Sequence, residues 1–372
     1  KIAASVIIFI FLIPYTASLY NGLSRLFGMA FNIDYSVCVI VMAVLTGVYV
    51  IAGGYMATAI NDFIQGIIML FGICAVILAV LNSQGGFLAA LEGLAQVSDP
   101  AVSDIPGVFA SFFGPDPLNL LGVVLLTSLG TWGLPQMAHK FHAIKDEKSI
   151  KKATVISTLF ALIIAGGSYL IGTFGRVYMN GVKPMGDGDR VVPAVLDMVL
   201  GPKGVLGDVL YGIIAVMVLS ASMSTLAAIV LTSSSTVTVD LLNGGAKPRV
   251  NKANTMRVLR GLCLLFLIIS VAIAIKKPAM IVDLMSYSWG AVAGAFIGPY
   301  VLGMYVKWIN KYGVAAGFIS GVVLTVLGIT GVIDMPAPNI GALAIAASFV
   351  VTALFSLIMI KAENKKSIIA EK

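Results

Sequence analysis

Ten long apolar stretches, nearly free of charge, follow one another along this chain with short polar breaks between them. A run of about 20 apolar residues makes an α-helix long enough to cross the roughly 30 Å hydrocarbon core of a bilayer. Inside that core a backbone must satisfy its own hydrogen bonds, which a helix does. The stretches lie near residues 2–27, 36–52, 62–81, 118–138, 153–177, 205–240, 257–275, 279–305, 313–333 and 339–361. They predict an all-α integral membrane protein with about ten transmembrane helices, forming one membrane domain over residues 1–372. The sixth and eighth stretches are long enough to require tilt or a break. Both contain small-residue clusters, Ser220–Thr225 and Gly290–Gly298, of the kind that lets membrane helices approach closely.

Composition closes off the alternatives. Charged residues are 11% of the chain, against about 25% in soluble domains, and the mean hydropathy is +1.01. A water-soluble enzyme and a nucleic-acid binder are both excluded, although the net charge is +7. The basic residues instead fit the cytoplasmic loops of a membrane protein. Alternating the crossings from a cytoplasmic Lys1 puts seventeen of the 24 basic residues on the cytoplasmic side, including Lys140–Lys152, Lys247–Arg260 and Lys361–Lys372. The other side receives Arg25, Arg176, Lys183, Arg190, Lys203, Lys276 and Lys277. The loop 82–117 carries Glu92, Asp99, Asp104 and Asp116 but no Lys or Arg, and belongs outside. The expected arrangement is a multi-pass protein of the cell membrane with both ends cytoplasmic.

The apolar run Ile2–Leu12 reads as a membrane helix, since no small-residue cleavage site follows it. Cys38, Cys74 and Cys263 lie far apart in apolar runs and read as small core residues. His139 and His142 have no third metal ligand nearby, and no nucleotide loop, zinc motif or Ser/His/Asp arrangement is present. No cofactor is expected. Gly85–Gln96 alternates like a surface helix, and Gly181–Arg190 reads as a turn.

Four segments carry chemistry. In the sixth helix, Ala221, Ser224 and Thr225 fall at i, i+3 and i+4 on one face of a hydroxyl-rich stretch. Hydroxyls at membrane depth serve either close helix packing or an alkali cation, a hard ion that takes hydroxyl and carbonyl oxygens. Asp62 opens the third helix, either as an acid favoured by the helix dipole or as an ionisable group beside a cation path. Ser128, Thr131, Trp132 and Gln136 surround Gly130, Gly133 and Pro135 in the fourth helix. Weakened helix of this kind is tolerated where it lines a cavity, so Trp132 lines a solute pocket or anchors at the membrane interface. Ser286, in Asp283–Gly290, sits in a polar, aromatic segment that is either a gate or part of an interfacial belt.

Taken together these segments resemble the sodium/solute symporter family, which includes sodium-coupled proline, pantothenate, monocarboxylate, sialic-acid and sugar carriers. Gly53-Gly54 followed by Asn61-Asp62-Phe63-Ile64-Gln65-Gly66 is similar to the family's GG…TD-x-x-QG signature, with Asn61 in place of Thr. Thr131-Trp132-Gly133 through Gln136, then Phe141–Asp146, resembles its WG…Q…R-F-x-A-I-K block. Ser222-Met223-Ser224-Thr225 with Ser233–Ser235 and Asp240 resembles its MST…SSS…D helix, and Ser286–Gly290 through Lys307 also fits. The resemblance implies two inverted five-helix repeats around a central site. It also implies that the first two core helices have no counterpart here, so the chain reads as N-terminally incomplete, with the hydroxyl face open on one side.

The activity implied is symport of a small organic solute (an amino acid, carboxylate, vitamin or sugar) driven by sodium through alternating access. The implied sodium site is Ala221, Ser224 and Thr225, with Asp62 in the ion path. Some relatives hold a further sodium with hydroxyls at positions that are Ala227 and Ala228 here, so one sodium is expected. Ser128, Thr131, Trp132, Gln136 and Ser286 are the candidate solute contacts. Two other classes compete, a transporter-like membrane sensor and an integral-membrane enzyme. The short Lys361–Lys372 tail argues against the first and the lack of a catalytic cluster against the second.

Overall fold

The computed structural model describes residues 2–141, 144–179, 188–200, 205–244, 249–277 and 279–370. Lys1, Lys183, Lys203, Lys247, Lys372, His142 and most of the Gly181–Arg190 turn lie outside these residues. Among the described residues every regular element is a helix. The order is α1 (Ile2–Phe31), α2 (Tyr35–Ser83), α3 (Phe87–Gln96), α4 (Pro117–Gly130), α5 (Pro135–Phe141) and α6 (Glu147–Tyr178). It continues with α7 (Val191–Leu200), α8 (Val205–Ser235), α9 (Lys252–Lys276), α10 (Ile281–Tyr305), α11 (Lys311–Ile329) and α12 (Ala337–Ala370). Eight stretches among the described residues are long and apolar enough to cross a membrane, while Tyr35–Ile51 and Pro117–Gly133 are apolar but shorter.

Polar side chains close the helix ends. Asp34 accepts from the amides of Ser36 and Val37 at the start of α2, and Asp116 accepts from Asn119 ahead of α4. Asp146 accepts from the Ser149 amide at 2.7 Å, and its bonds to Ser149 hold its carboxyl below the usual carboxylate range. Each bond satisfies an amide that the first helical turn leaves without a partner. Within the spans, Thr16, Thr46, Ser270, Ser286 and Thr325 return their hydroxyl hydrogens to the carbonyl four residues back, which costs the bilayer no exposed donor.

Several elements differ from the sequence expectation. The stretches 36–52 and 62–81 are the two arms of one helical run of 49 residues, α2. Helical turns continue along the chain, but its direction changes near Gly53-Gly54, where each glycine weakens a helix by about 1 kcal/mol. A straight helix of that length would rise roughly 73 Å, yet the two halves run in opposite senses. Tyr35 bonds the Ala274 carbonyl, and a Cβ on Gly47 would meet Leu267 at 3.3 Å, so the first half lies antiparallel to α9. Asp62 meets Ser224, and Gly72 abuts Met217, so the second half lies antiparallel to α8. Since α8 and α9 form a hairpin joined by the Asn243–Thr255 bond, α2 doubles back between Ile51 and Thr58.

The helix expected at 118–138 is broken. After α4 come a 3₁₀ turn at Thr131–Gly133 and an extended Leu134 with ψ 125°, and α5 begins at Pro135. Proline lacks an N–H and disfavours helical geometry at the preceding residue, which fixes the break there. The stretch expected at 313–333 stops at Ile329, where Gly331 turns the chain with φ +73°. The sixth helix ends as a π-helix, Thr236–Leu242, and α7 fills the second half of the 178–204 loop.

Packing follows the small residues. A Cβ on Gly290 would lie 2.8 Å from Gly341, and one on Gly298 would lie 2.5 Å from the Ser348 backbone. With a Cβ on Gly294 meeting Ala344 at 3.1 Å between them, these approaches bring α10 onto α12 at four-residue intervals along α10, the small-xxx-small pattern of membrane helices. Gly321 of α11 seats directly on the Gly294 carbonyl, with no room for a Cβ between them. Gly321→Val is therefore expected to destabilise the protein by about 1–3 kcal/mol through overpacking, read as a lower unfolding midpoint in detergent. Gly303→Val, where nothing lies within 4 Å, is the control. One apolar core joins α1, α2, α8, α9 and α10, with Tyr20, Leu226 and Phe266 fully buried. A second joins α2, α3, α6 and α7 around Leu94 and Phe174.

Candidate functional site

The middle of α8 has two unlike faces. Ser222, Leu226, Ala227, Ile229 and Val230 are buried, whereas Ala221, Ser224, Thr225 and Ala228 are half-buried. The i, i+3, i+4, i+7 spacing of the second set makes one stripe, partly open to one side. On it, the Ser224 hydroxyl donates to Asp62 Oδ1 at 2.7 Å, and the Thr225 hydroxyl donates to the Ala221 carbonyl at 3.1 Å. Both hydroxyl hydrogens are thus committed elsewhere, and both oxygens keep lone pairs for a cation. The structure therefore brings together Ala221, Ser224, Thr225 and Asp62, the last from 162 residues away.

Asp62 has a second partner that the sequence did not single out. Lys140 Nζ lies 3.2 Å from Asp62 Oδ2, with the lysine side chain 49% exposed and the aspartate 20%. Lys140 stands four residues after Gln136 on α5, so both project to one face. That face, α2, α8 and α9 enclose a cavity of about 650 Å³ whose polar lining includes Thr58, Asp62, Gln136, Lys140, Thr232, Ser235 and Arg260. Gln136 is buried, and its Oε1 accepts no hydrogen bond among the described residues, leaving an acceptor at the cavity wall.

The remaining candidates are arranged around the break between α4 and α5. Gly133 packs directly on Ala293 of α10, and Gly130 packs on Trp289, so the break is pressed against α10. Trp132 points away from that contact and is 66% exposed. Ser128 is exposed on the same broken segment, and the Thr131 hydroxyl donates to the Ser128 carbonyl. Ser286 is fully buried, and its hydroxyl donates to the Val282 carbonyl at 2.6 Å. It lies at the α10–α12 contact, where its carbonyl abuts Gly341, apart from the Asp62–Ser224 pair.

A second polar cluster lies where α1 ends, α2 begins and α9 passes into α10. Asp189 pairs with Arg25 at 3.6 Å, both side chains under a tenth exposed. It also accepts from Asn21 and from the Ile281 amide at the start of α10. Asn21 accepts from Arg25 at 2.7 Å and from the Tyr35 hydroxyl at 3.3 Å, and Lys277 stacks over the Tyr35 ring. The only sequence signal for this cluster was the placement of Arg25 and Lys277 on the same side by the charge count.

Comparison with known proteins fits the arrangement. A family model described as Sodium:solute symporter family matches residues 1–321. The chain belongs to that family. It is 28% identical over 330 residues to the osmoregulated proline transporter OpuE of Bacillus subtilis, covering 89% of this chain and 64% of that protein. It is 29% identical over 321 residues to the sodium/pantothenate symporter of Haemophilus influenzae, covering 83% of this chain and 62% of that one. This family member thus spans just under two thirds of the length of these curated relatives. Among solved structures, the substrate-bound, outward-open state of a Na⁺-coupled sialic acid symporter matches with a TM-score of 0.69. That match has 16% sequence identity and covers 95% of this chain and 73% of the other. The likeness shows the inverted-repeat symporter fold, and the chain is a multi-pass membrane protein of that architecture.

Proposed function

We propose that this chain works as a sodium-coupled secondary active symporter that imports a small organic solute by alternating access, and not as an enzyme or a sensor. One observation carries the reading: the Ser224–Asp62 bond puts a carboxylate against the half-open hydroxyl stripe of α8. Sodium is taken by the Ala221 carbonyl and the Ser224 and Thr225 hydroxyls, with Asp62 in its release path. Ala227 and Ala228 offer no side-chain oxygen, and the site holds one ion.

The solute passes the break between α4 and α5, where Ser128, Thr131 and the exposed Trp132 face outward and Gln136 reaches the cavity. Half-helix ends at such a break suit polar ligands. The relatives named above act on proline, pantothenate and sialic acid, each of which carries a carboxylate, and we assign this chain a carboxylate-bearing solute. The membrane is the cell membrane, with both ends cytoplasmic. Lys140 and Arg260, placed together on the cytoplasmic side by charge counting, line one cavity. Arg25 and Lys277, placed opposite, share the cluster around Asn21 and Tyr35.

Coupling between ion and solute is reciprocal in equilibrium binding, and a ligand bound to the native state raises its apparent stability. The test is thermal unfolding of the purified protein with proline, pantothenate or sialic acid, in sodium and in potassium. One of these solutes is expected to raise the midpoint in sodium, with little effect in potassium, and to lower the sodium concentration needed for its own effect. Equal shifts in the two salts, or none with any solute, would contradict the reading.

A further inference from the structure

Among the described residues each oxygen of the Asp62 carboxylate accepts from one donor: Oδ1 from Ser224 at 2.7 Å and Oδ2 from Lys140 at 3.2 Å. We propose that Lys140 is a tethered cation that holds Asp62 when sodium is absent, and thereby weakens sodium binding and limits the site to one ion. The inference rests on the sodium site proposed above and adds a residue that sets its affinity.

Three features of the pair support it. An ammonium has only donors, so it and a sodium ion draw on the same carboxylate lone pairs. With Lys140 in place, the pair is neutral before sodium arrives, and the sodium adds a net positive charge. Without the lysine, Asp62 would be the uncompensated counter-ion of the bound sodium. The lysine is half exposed to the 650 Å³ cavity, where an ion pair is weak and opens readily, so the ammonium can leave and return with each cycle. Where a second sodium would need more oxygens beside Asp62, α8 presents Ala227 and Ala228. The ammonium supplies that positive charge instead.

The test is equilibrium binding of radioactive sodium to the purified protein and to Lys140→Gln, Lys140→Arg, Asp62→Asn and the Lys140→Gln/Asp62→Asn double variant. A nearby like charge at a partly exposed site changes a cation's affinity by about tenfold. Lys140→Gln should therefore bind sodium about tenfold more tightly, and Lys140→Arg, which keeps the charge, should match the parent protein. In the Asp62→Asn background the gain from Lys140→Gln should be smaller, because the carboxylate that ammonium and sodium compete for is gone and only the repulsion between them is relieved. Unchanged or weaker sodium binding in Lys140→Gln overturns the proposal, as does weaker sodium binding on Lys140→Gln in the Asp62→Asn background. A purely structural lysine would instead lower the sodium-free unfolding midpoint and leave sodium affinity alone. A parent protein that binds no sodium overturns the proposed function itself, whereas a parent that binds it with Lys140→Gln unchanged overturns this inference only.

Discussion

Replacing Ser224 and Thr225 together by alanine is expected to raise the sodium concentration for half-maximal solute uptake tenfold or more. Two neutral oxygen ligands disappear, a loss on the order of a few kcal/mol, and each 1.4 kcal/mol is a factor of ten in affinity. The fold should survive, because both positions are half-buried and alanine is the best helix former. Thr225 also gives up only a bond to a carbonyl of its own helix. A variant with normal membrane insertion and an unchanged sodium dependence would return this stretch of α8 to helix packing alone. Ser222→Ala is the control, since Ser222 is buried at 9% exposure and is not among the candidate ligands, and it should leave the sodium dependence as it is.

Arg25→Gln is expected to cost about 3–5 kcal/mol of stability, because it removes the guanidinium that pairs with the buried Asp189 carboxylate at 3.6 Å. Asn21 and the Ile281 amide still donate to Asp189. Asp189→Asn should be similarly harmful, since it leaves the Arg25 guanidinium buried. The double variant Arg25→Gln/Asp189→Asn removes both charges and should recover much of the loss, because a buried pair replaced as a unit is nearly neutral. Unfolding midpoints of the four proteins in detergent give the coupling. Strict additivity would mean that Arg25 and Asp189 do not stabilise the protein as a pair.

Much of this fold was legible because bilayer constraints act locally. Each apolar run needs only its own length and lack of charge to be recognised, and Gly290–Gly298 announces a close helix contact through small side chains alone. Pro135 marked the weakened fourth helix, although the size of the break, with Leu134 extended, depends on α10 pressing on Gly133. The stretches 36–52 and 62–81 correspond to the two antiparallel arms of α2, but the short helical turn that joins them around Gly53-Gly54 leaves no apolar signal. Of the site, the stripe on α8 follows from helical periodicity, and Asp62 stood out as a lone acid beside apolar sequence. Lys140 did not stand out. An ion pair across 78 residues leaves no periodic trace, and in a basic loop one lysine looks like the next. Asp189 was hidden for the same reason, in an irregular segment whose partners come from α1 and α10. The outward exposure of Trp132 depends on the turn at Thr131–Gly133, which residue spacing alone does not fix.

The central claim is that a sodium gradient drives solute across the membrane through this protein. It is tested most directly by reconstituting the protein into liposomes and following labelled proline, pantothenate and sialic acid under an inward sodium gradient. The expected result is transient accumulation of one of these solutes above its external concentration, abolished when sodium is equal on both sides or replaced by potassium. Equilibration to the external concentration at the same rate with and without the sodium gradient would contradict the account.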